Sequence, residues 1–173
     1  MTRRRAWLLG IAAVLGAGAL TGGIVIHSAG AENGGTALRS YNEVPSLSYP
    51  SATGDFRLHI SDSAKTIFFH FNWSGLTGPP LFAHIHFGQV GVNGGVSAFL
   101  CGGSTKPACP QATSGAISGT ITPDDVIGPA GQGIAAGEWD ELVMAIRAGF
   151  TYANIHTTLN PGGEARGQIS VSG

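Results

Sequence analysis

Charge is scarce in this sequence. Asp, Glu, Lys and Arg make up 11% of its 173 residues, where an average soluble domain carries roughly 25%. Three of the nine basic residues are Arg3, Arg4 and Arg5; without residues 1–31, six Lys+Arg face ten Asp+Glu, a net charge of −4. A mildly acidic domain with no basic cluster cannot neutralise phosphates, which argues against nucleic acid and against adhesion to anionic lipid. Cysteine is equally sparse. Cys101 and Cys109 stand alone and have no Cys-x-x-Cys spacing, so a dithiol redox centre or thiolate metal site is not indicated. No Gly-x-Ser-x-Gly occurs, and the glycines of 91–95 lack the lysine of a phosphate loop; acyl transfer and nucleotide binding have no support. Asp124-Asp125 and Asp140-Glu141 suit helix starts and surface better than a general acid/base pair. Glycine, by contrast, is abundant. Its 28 residues follow no three-residue period, and the apolar share is 43%, which excludes both collagen and a wholly disordered chain.

The N-terminus reads as an address. Met1–Arg5 is basic, Trp7–Ile26 is uncharged and rich in Leu, Ile, Val, Ala and Gly, and Ala29-Gly30-Ala31 precedes the polar Glu32-Asn33. That order describes a secretory signal cleaved after Ala31, and Arg3-Arg4-Arg5-Ala6-Trp7-Leu8 faintly resembles a twin-arginine export signal. The apolar run is also long enough to span a bilayer as an uncleaved anchor over residues 7–26, although its five glycines dilute it. Residues 1–31 are therefore expected to be a signal peptide or membrane anchor, and residues 32–173 a secreted or otherwise extracytoplasmic domain. In an oxidising compartment Cys101 and Cys109, bracketing a flexible loop, are expected to form a disulfide.

Beyond a polar lead-in at Glu32–Thr36, short alternating segments are separated by turns. Phe56, Leu58 and Ile60 share one face of Asp55–Ile60. Ile67, Phe69, Phe71 and Trp73 form a stripe on Thr66–Ser74, with Phe68, His70 and Asn72 opposite. Phe82–Phe87, Val96–Leu100, Gly115–Thr122, Phe150–His156 and Ala165–Val171 also read as strands. Helical signals are confined to Thr122-Pro123-Asp124-Asp125, which carries a cap and a first-turn proline, and Glu138–Ala148, which ends at Gly149. The expected fold is all-β, a sandwich or barrel of about seven to eight short strands with one or two short helices.

One constellation carries chemistry. The strand period of two puts His84 and His86 on one face, and likewise Tyr152, Asn154 and His156. Asn160-Pro161-Gly162-Gly163-Glu164-Ala165-Arg166-Gly167 then supplies a glycine turn flanked by a carboxylate and a guanidinium. His84, His86, His156 and Glu164 would make a first shell for zinc or copper. In that reading Glu164 is a fourth ligand or fixes an imidazole tautomer, Asn154 completes the polar face, and Arg166 orients Glu164 or holds an anion. The same residues also admit a plainer reading. Histidines on one strand face can simply bond backbone, Glu164 and Arg166 can pair with each other, and the spacing does not bring His156 to the other two. His59 and His70 belong on polar strand faces.

Several runs together resemble a known family. They are Asn42-Glu43-Val44-Pro45, Gly75-Leu76, Ala83-His84-Ile85-His86-Phe87-Gly88, Cys101 with Cys109-Pro110, Gly119-Thr120-Ile121-Thr122, Gln132-Gly133-Ile134, Tyr152-Ala153-Asn154-Ile155-His156-Thr157, and Gly163 through Ile169. In this order they look like the CHRD domain, named after chordin, an extracellular antagonist of bone morphogenetic proteins, and found also in small exported bacterial proteins. The resemblance spans roughly Thr36–Ser170 and implies an immunoglobulin-like β-sandwich or barrel, but no activity. His84-Ile85-His86 is also similar to the His-x-His strand of copper–zinc superoxide dismutases, without their later histidines, aspartate or bridging imidazole. The expected function is a non-catalytic binding or structural module of the cell envelope or extracellular space. Its partner would be a protein, a glycan or a metal, and a metal-free adhesive or matrix role is a further reading. The alternative is a copper or zinc enzyme related to superoxide dismutase chemistry.

Overall fold

The computed structural model describes residues 32–48, 51–103 and 105–172; the expected signal or anchor at 1–31 lies outside them. No helix among the described residues is long and apolar enough to cross a membrane. Among the described residues the strands are β1 (Glu32–Arg39), β2 (Thr53–Ser61), β3 (Thr66–Ser74), β4 (Pro80–Phe87), β5 (Gly95–Cys101), β6 (Gly115–Ile121), β7 (Thr151–Thr157), β8 (Ala165–Gln168) and β9 (Ser170–Ser172), with one α-helix, α1 (Trp139–Arg147). All pairings are antiparallel, in the order β5-β4-β7-β8-β1-β2-β3-β6, and β9 also pairs with β1. The two ends approach where Ala98 of β5 bridges Val126 and the Ile127 N–H donates to the Ser97 carbonyl at 2.9 Å. The sheet therefore closes almost into a barrel, and the all-β expectation holds.

The alternation read from the sequence is what fills the interior. Ile67, Phe69, Phe71 and Trp73 of β3 are buried beside Phe56, Leu58 and Ile60 of β2. Phe56 packs on Phe69 and Phe71 with ring centroids 6.3 and 6.2 Å apart. Burying a side chain of this size stabilises by about 1.5–3 kcal/mol. The buried Trp139, Leu142, Val143 and Ile146 share one face of α1, and the chain turns at Gly149, whose φ is 73°. Its last-turn Arg147 pairs with Glu32 of β1 at 3.0 Å and with Asp62 at 2.7 Å.

Three expectations need correction. The stretch from Glu32 is not a lead-in but the start of β1, which lies between β2 on one side and β8 and β9 on the other. Its glycines, which read as loop, are required by close packing: a Cβ on Gly35 would stand 2.2 Å from the Phe56 carbonyl oxygen, and one on Gly34 2.6 Å from that of Ser170. Ala165–Val171 is two strands rather than one, broken at Ile169, whose N–H turns to the Thr151 carbonyl. The capped segment after Thr122 is a single 3-10 turn, Pro123–Asp125.

That turn closes the disulfide loop. Cys101 and Cys109 are bonded, and Lys106 between them reaches Asp125 Oδ2 at 2.7 Å, with side chains only 12% and 11% exposed. The same Asp125 oxygen accepts from the Thr122 N–H and hydroxyl at 2.9 and 3.0 Å. Burial alone would push the Asp125 carboxyl up, but these bonds to Lys106 and Thr122 outweigh it and hold it below its ordinary 3.8. Asp125→Ala, which leaves the Lys106 ammonium without its carboxylate and with only the Thr120 carbonyl, and strands both Thr122 donors, is expected to cost about 3 kcal/mol in urea unfolding.

Candidate functional site

Adjacent strands β4, β7 and β8 bring the polar side chains into rows. His84 stands opposite Asn154, which stands opposite Arg166; His86 faces Tyr152 and Tyr152 faces Gln168; Phe82 faces His156. The alternate residues Ala83, Ile85, Ala153 and Ile155 enter the core. On the β5 side the register shifts between Ala83 and His84 and again between Ile85 and His86. Such bulges re-aim side chains at one rim of a sheet.

This polar face is not open to water. His84, His86 and His156 are 5%, 8% and 8% exposed, because three loop segments roof them. The Gly94 carbonyl accepts from His86 Nδ1 at 3.1 Å, the Pro161 carbonyl from His156 Nδ1 at 3.0 Å, and Glu43 Oε1 from Asn154 Nδ2 at 2.6 Å. Asn93 ties two of these segments together. Its Nδ2 donates to the Val44 carbonyl at 2.9 Å, and its Oδ1 accepts from Arg166 at 3.0 Å. Phe82 and Phe99 pack on the His84 ring, with centroids 5.8 and 4.6 Å away. His86 lies flat on Tyr152 at 4.7 Å, and Arg166 covers the other partner of that stack, its Cζ 4.3 Å from the Tyr152 centroid.

The carbonyl contacts assign the tautomers of two rings. His86 and His156 each spend the Nδ1 proton on backbone, which leaves an Nε2 lone pair. His84 Nδ1 lies 3.2 Å from His86 Nε2, and one ring nitrogen from each of the three histidines lies within 4.8 Å of the other two. His156 Nε2 and Asn154 Oδ1 are buried with no hydrogen-bond partner among the described residues. Burial disfavours the charged imidazoles, reinforced at His84 by its two neighbours. It takes His84 down to about 2 and His86, which also faces Arg166, to about 4, and lowers His156 as well. With the His84 proton moved from Nδ1 to Nε2, three neutral rings can ligate a borderline or soft cation.

Of the residues expected at the site, His84, His86, His156 and Asn154 share one buried face, and Arg166 reaches it through Tyr152. Glu164 does not join them, which corrects both roles foreseen for it. It precedes β8 and is fully buried elsewhere, accepting from the Thr77 N–H and hydroxyl at 2.6 and 2.8 Å, from the Thr157 hydroxyl at 2.5 Å and from Asn160 Nδ2 at 3.0 Å. Backbone carbonyls, not a carboxylate, orient the imidazoles. Nor does Arg166 orient Glu164; its hydrogen bond goes to Asn93. Sequence reasoning about chemistry missed Glu43, whose only signal was its place in the Asn42-Glu43-Val44-Pro45 run. His59 and His70 stay on outer strand faces, bonded to Asn33 and Ser118.

No curated protein and no solved structure matches the chain at a significant level. The family model of the CHRD domain matches residues 35–169, a span that holds β2 to β8, most of β1 and every residue of the roofed histidine face, and the chain therefore belongs to the CHRD domain family.

Proposed function

We propose that the domain is a non-catalytic binding module that works outside the cytoplasm and holds a single copper or zinc ion between His84, His86 and His156. The observation that carries this reading is the convergence of three buried imidazole nitrogens, one of them, His156 Nε2, without any partner. An unsatisfied buried polar atom is costly, and its persistence in this cluster, where Asn154 Oδ1 is also unpartnered, points to a ligand. Metal–imidazole bonds of about 2.0–2.1 Å in tetrahedral geometry put ligand nitrogens about 3.4 Å apart, close to the 3.2 Å between His84 and His86. Ligation by His84 through Nδ1 requires that its proton sit on Nε2. The disulfide fits an extracytoplasmic location, and an export signal in residues 1–31 would deliver the domain there.

A dinuclear site of the superoxide dismutase kind has nothing comparable behind it. Among the described residues the trio is the one cluster of three metal-ligating side chains, and no second set surrounds a shared ring. Elemental mass spectrometry on untagged protein tests the proposal. About one equivalent of copper or zinc is expected in the native protein, and none in a His84→Ala/His86→Ala variant that keeps its circular dichroism. Native protein that carries no metal and takes up neither ion when offered it would refute the reading.

A further inference from the structure

Resting on that metal-site reading, we infer that the site is built for a monovalent, three-coordinate copper ion rather than for zinc or divalent copper. The donor set is three imidazoles and no carboxylate. Imidazole ligands carry no charge, so a bound ion keeps its full formal charge inside a site whose rings are 5–8% exposed. The penalty for burying an ion grows with the square of its charge, so a dication costs about four times what a monocation does.

Among the described residues, nothing beside the rings supplies the missing negative charge. Glu164 is turned away and its oxygens are occupied by Thr77, Thr157 and Asn160. Glu43 reaches only Asn154, and Arg166, in the stack over Tyr152 and His86, offsets it. A dication in such a place would need an anionic fourth ligand such as hydroxide. Against His84, however, the packing is aromatic: Phe82 and Phe99 lie on the ring. A three-coordinate monocation needs no fourth ligand, and the soft end of the copper couple accepts an apolar shell.

The experiment is a pair of chelator competitions on the full-length protein. Cu(I), kept reduced with ascorbate under argon, is competed against bicinchoninate, and Zn(II) against a chromogenic zinc chelator. One equivalent of Cu(I) is expected, bound about 1000-fold more tightly than Zn(II), with a three-coordinate, all-nitrogen X-ray absorption signature. Zinc bound as tightly as Cu(I), or a copper spectrum requiring a fourth oxygen ligand, overturns this inference and leaves the metal-site reading standing. Failure to bind any of the ions overturns both. Cu(I) that remains bound in His84→Ala/His86→Ala lies elsewhere on the chain and also overturns it. A second variant reads the charge directly: Arg166→Gln should raise zinc affinity by about the square of its gain for Cu(I), since a dication feels the guanidinium twice as strongly. Equal gains would contradict the charge assignment.

Discussion

Lowering the pH of the metal-free protein from 6.5 to 4.5 is expected to cost at least about 2 kcal/mol of unfolding free energy. The histidines set the direction. Burial holds His84 at about 2 and His86 at about 4 and lowers His156, whereas the unfolded chain protonates each near 6.5. Below pH 6.5 the unfolded state therefore binds two protons, at His84 and His86, that the native state refuses, His156 shifts in the same direction, and stability falls. Glu43 works the other way. Burial, partly offset by Arg166 and Asn154, raises its carboxyl from 4.5 to about 7, so between those values the native state holds one proton that the unfolded chain does not. One net proton, before any contribution from His156, gives about 1.4 kcal/mol per pH unit, against a total stability of about 5–15 kcal/mol for a typical domain. Urea unfolding at successive pH values checks this. Glu43→Gln removes the opposing proton and should steepen the slope about twofold, to about 2.7 kcal/mol per unit. A stability curve that is flat between pH 6.5 and 4.5 would show that the rings are not held neutral.

Removing the Glu164 carboxylate is expected to cost about 4 kcal/mol. Its two oxygens take four hydrogen bonds from Thr77, Thr157 and Asn160 in a fully buried setting. All four partners donate, so Glu164→Ala leaves several buried donors unpaired at once, each at about 1–3 kcal/mol with some recovery by relaxation. Glu164→Gln is little better, at about 3 kcal/mol, because its amide group brings donors to face donors. Thermal or urea unfolding measures the loss. Metal content separates it from a ligand role: Glu164→Gln, kept folded in the cold, should bind its ion with unchanged stoichiometry. Loss of the ion at undiminished stability would restore Glu164 to the metal.

The fold was largely legible because β2 and β3 alternate cleanly and their apolar faces are large, which leaves only one way to bury them. β1 was not legible because its defining property is the smallness of Gly34 and Gly35, a response to neighbours distant in sequence. The shared face of His84 with His86, and of Asn154 with His156, followed from period two. Their convergence did not, since it depends on β7 lying beside β4. Glu164 was misread for a related reason. It stands two residues before Arg166, and alternation along a continuous strand would place both on one face, but β8 begins only at Ala165. Glu43 was invisible as chemistry because a lone acid in a loop acquires meaning only from the amide it meets.

Asn93 has a kinetic consequence. The roof segments are fastened to each other as well as to the barrel: Asn93 joins the 40–48 segment to the 88–94 loop and to Arg166, and Glu43 meets Asn154 beneath Gly163. Cross-tied flaps cannot lift one at a time. Passage to and from the imidazoles is then one cooperative opening, and the residence time of anything held there is set by how often these ties break together rather than by the strength of its bonds alone.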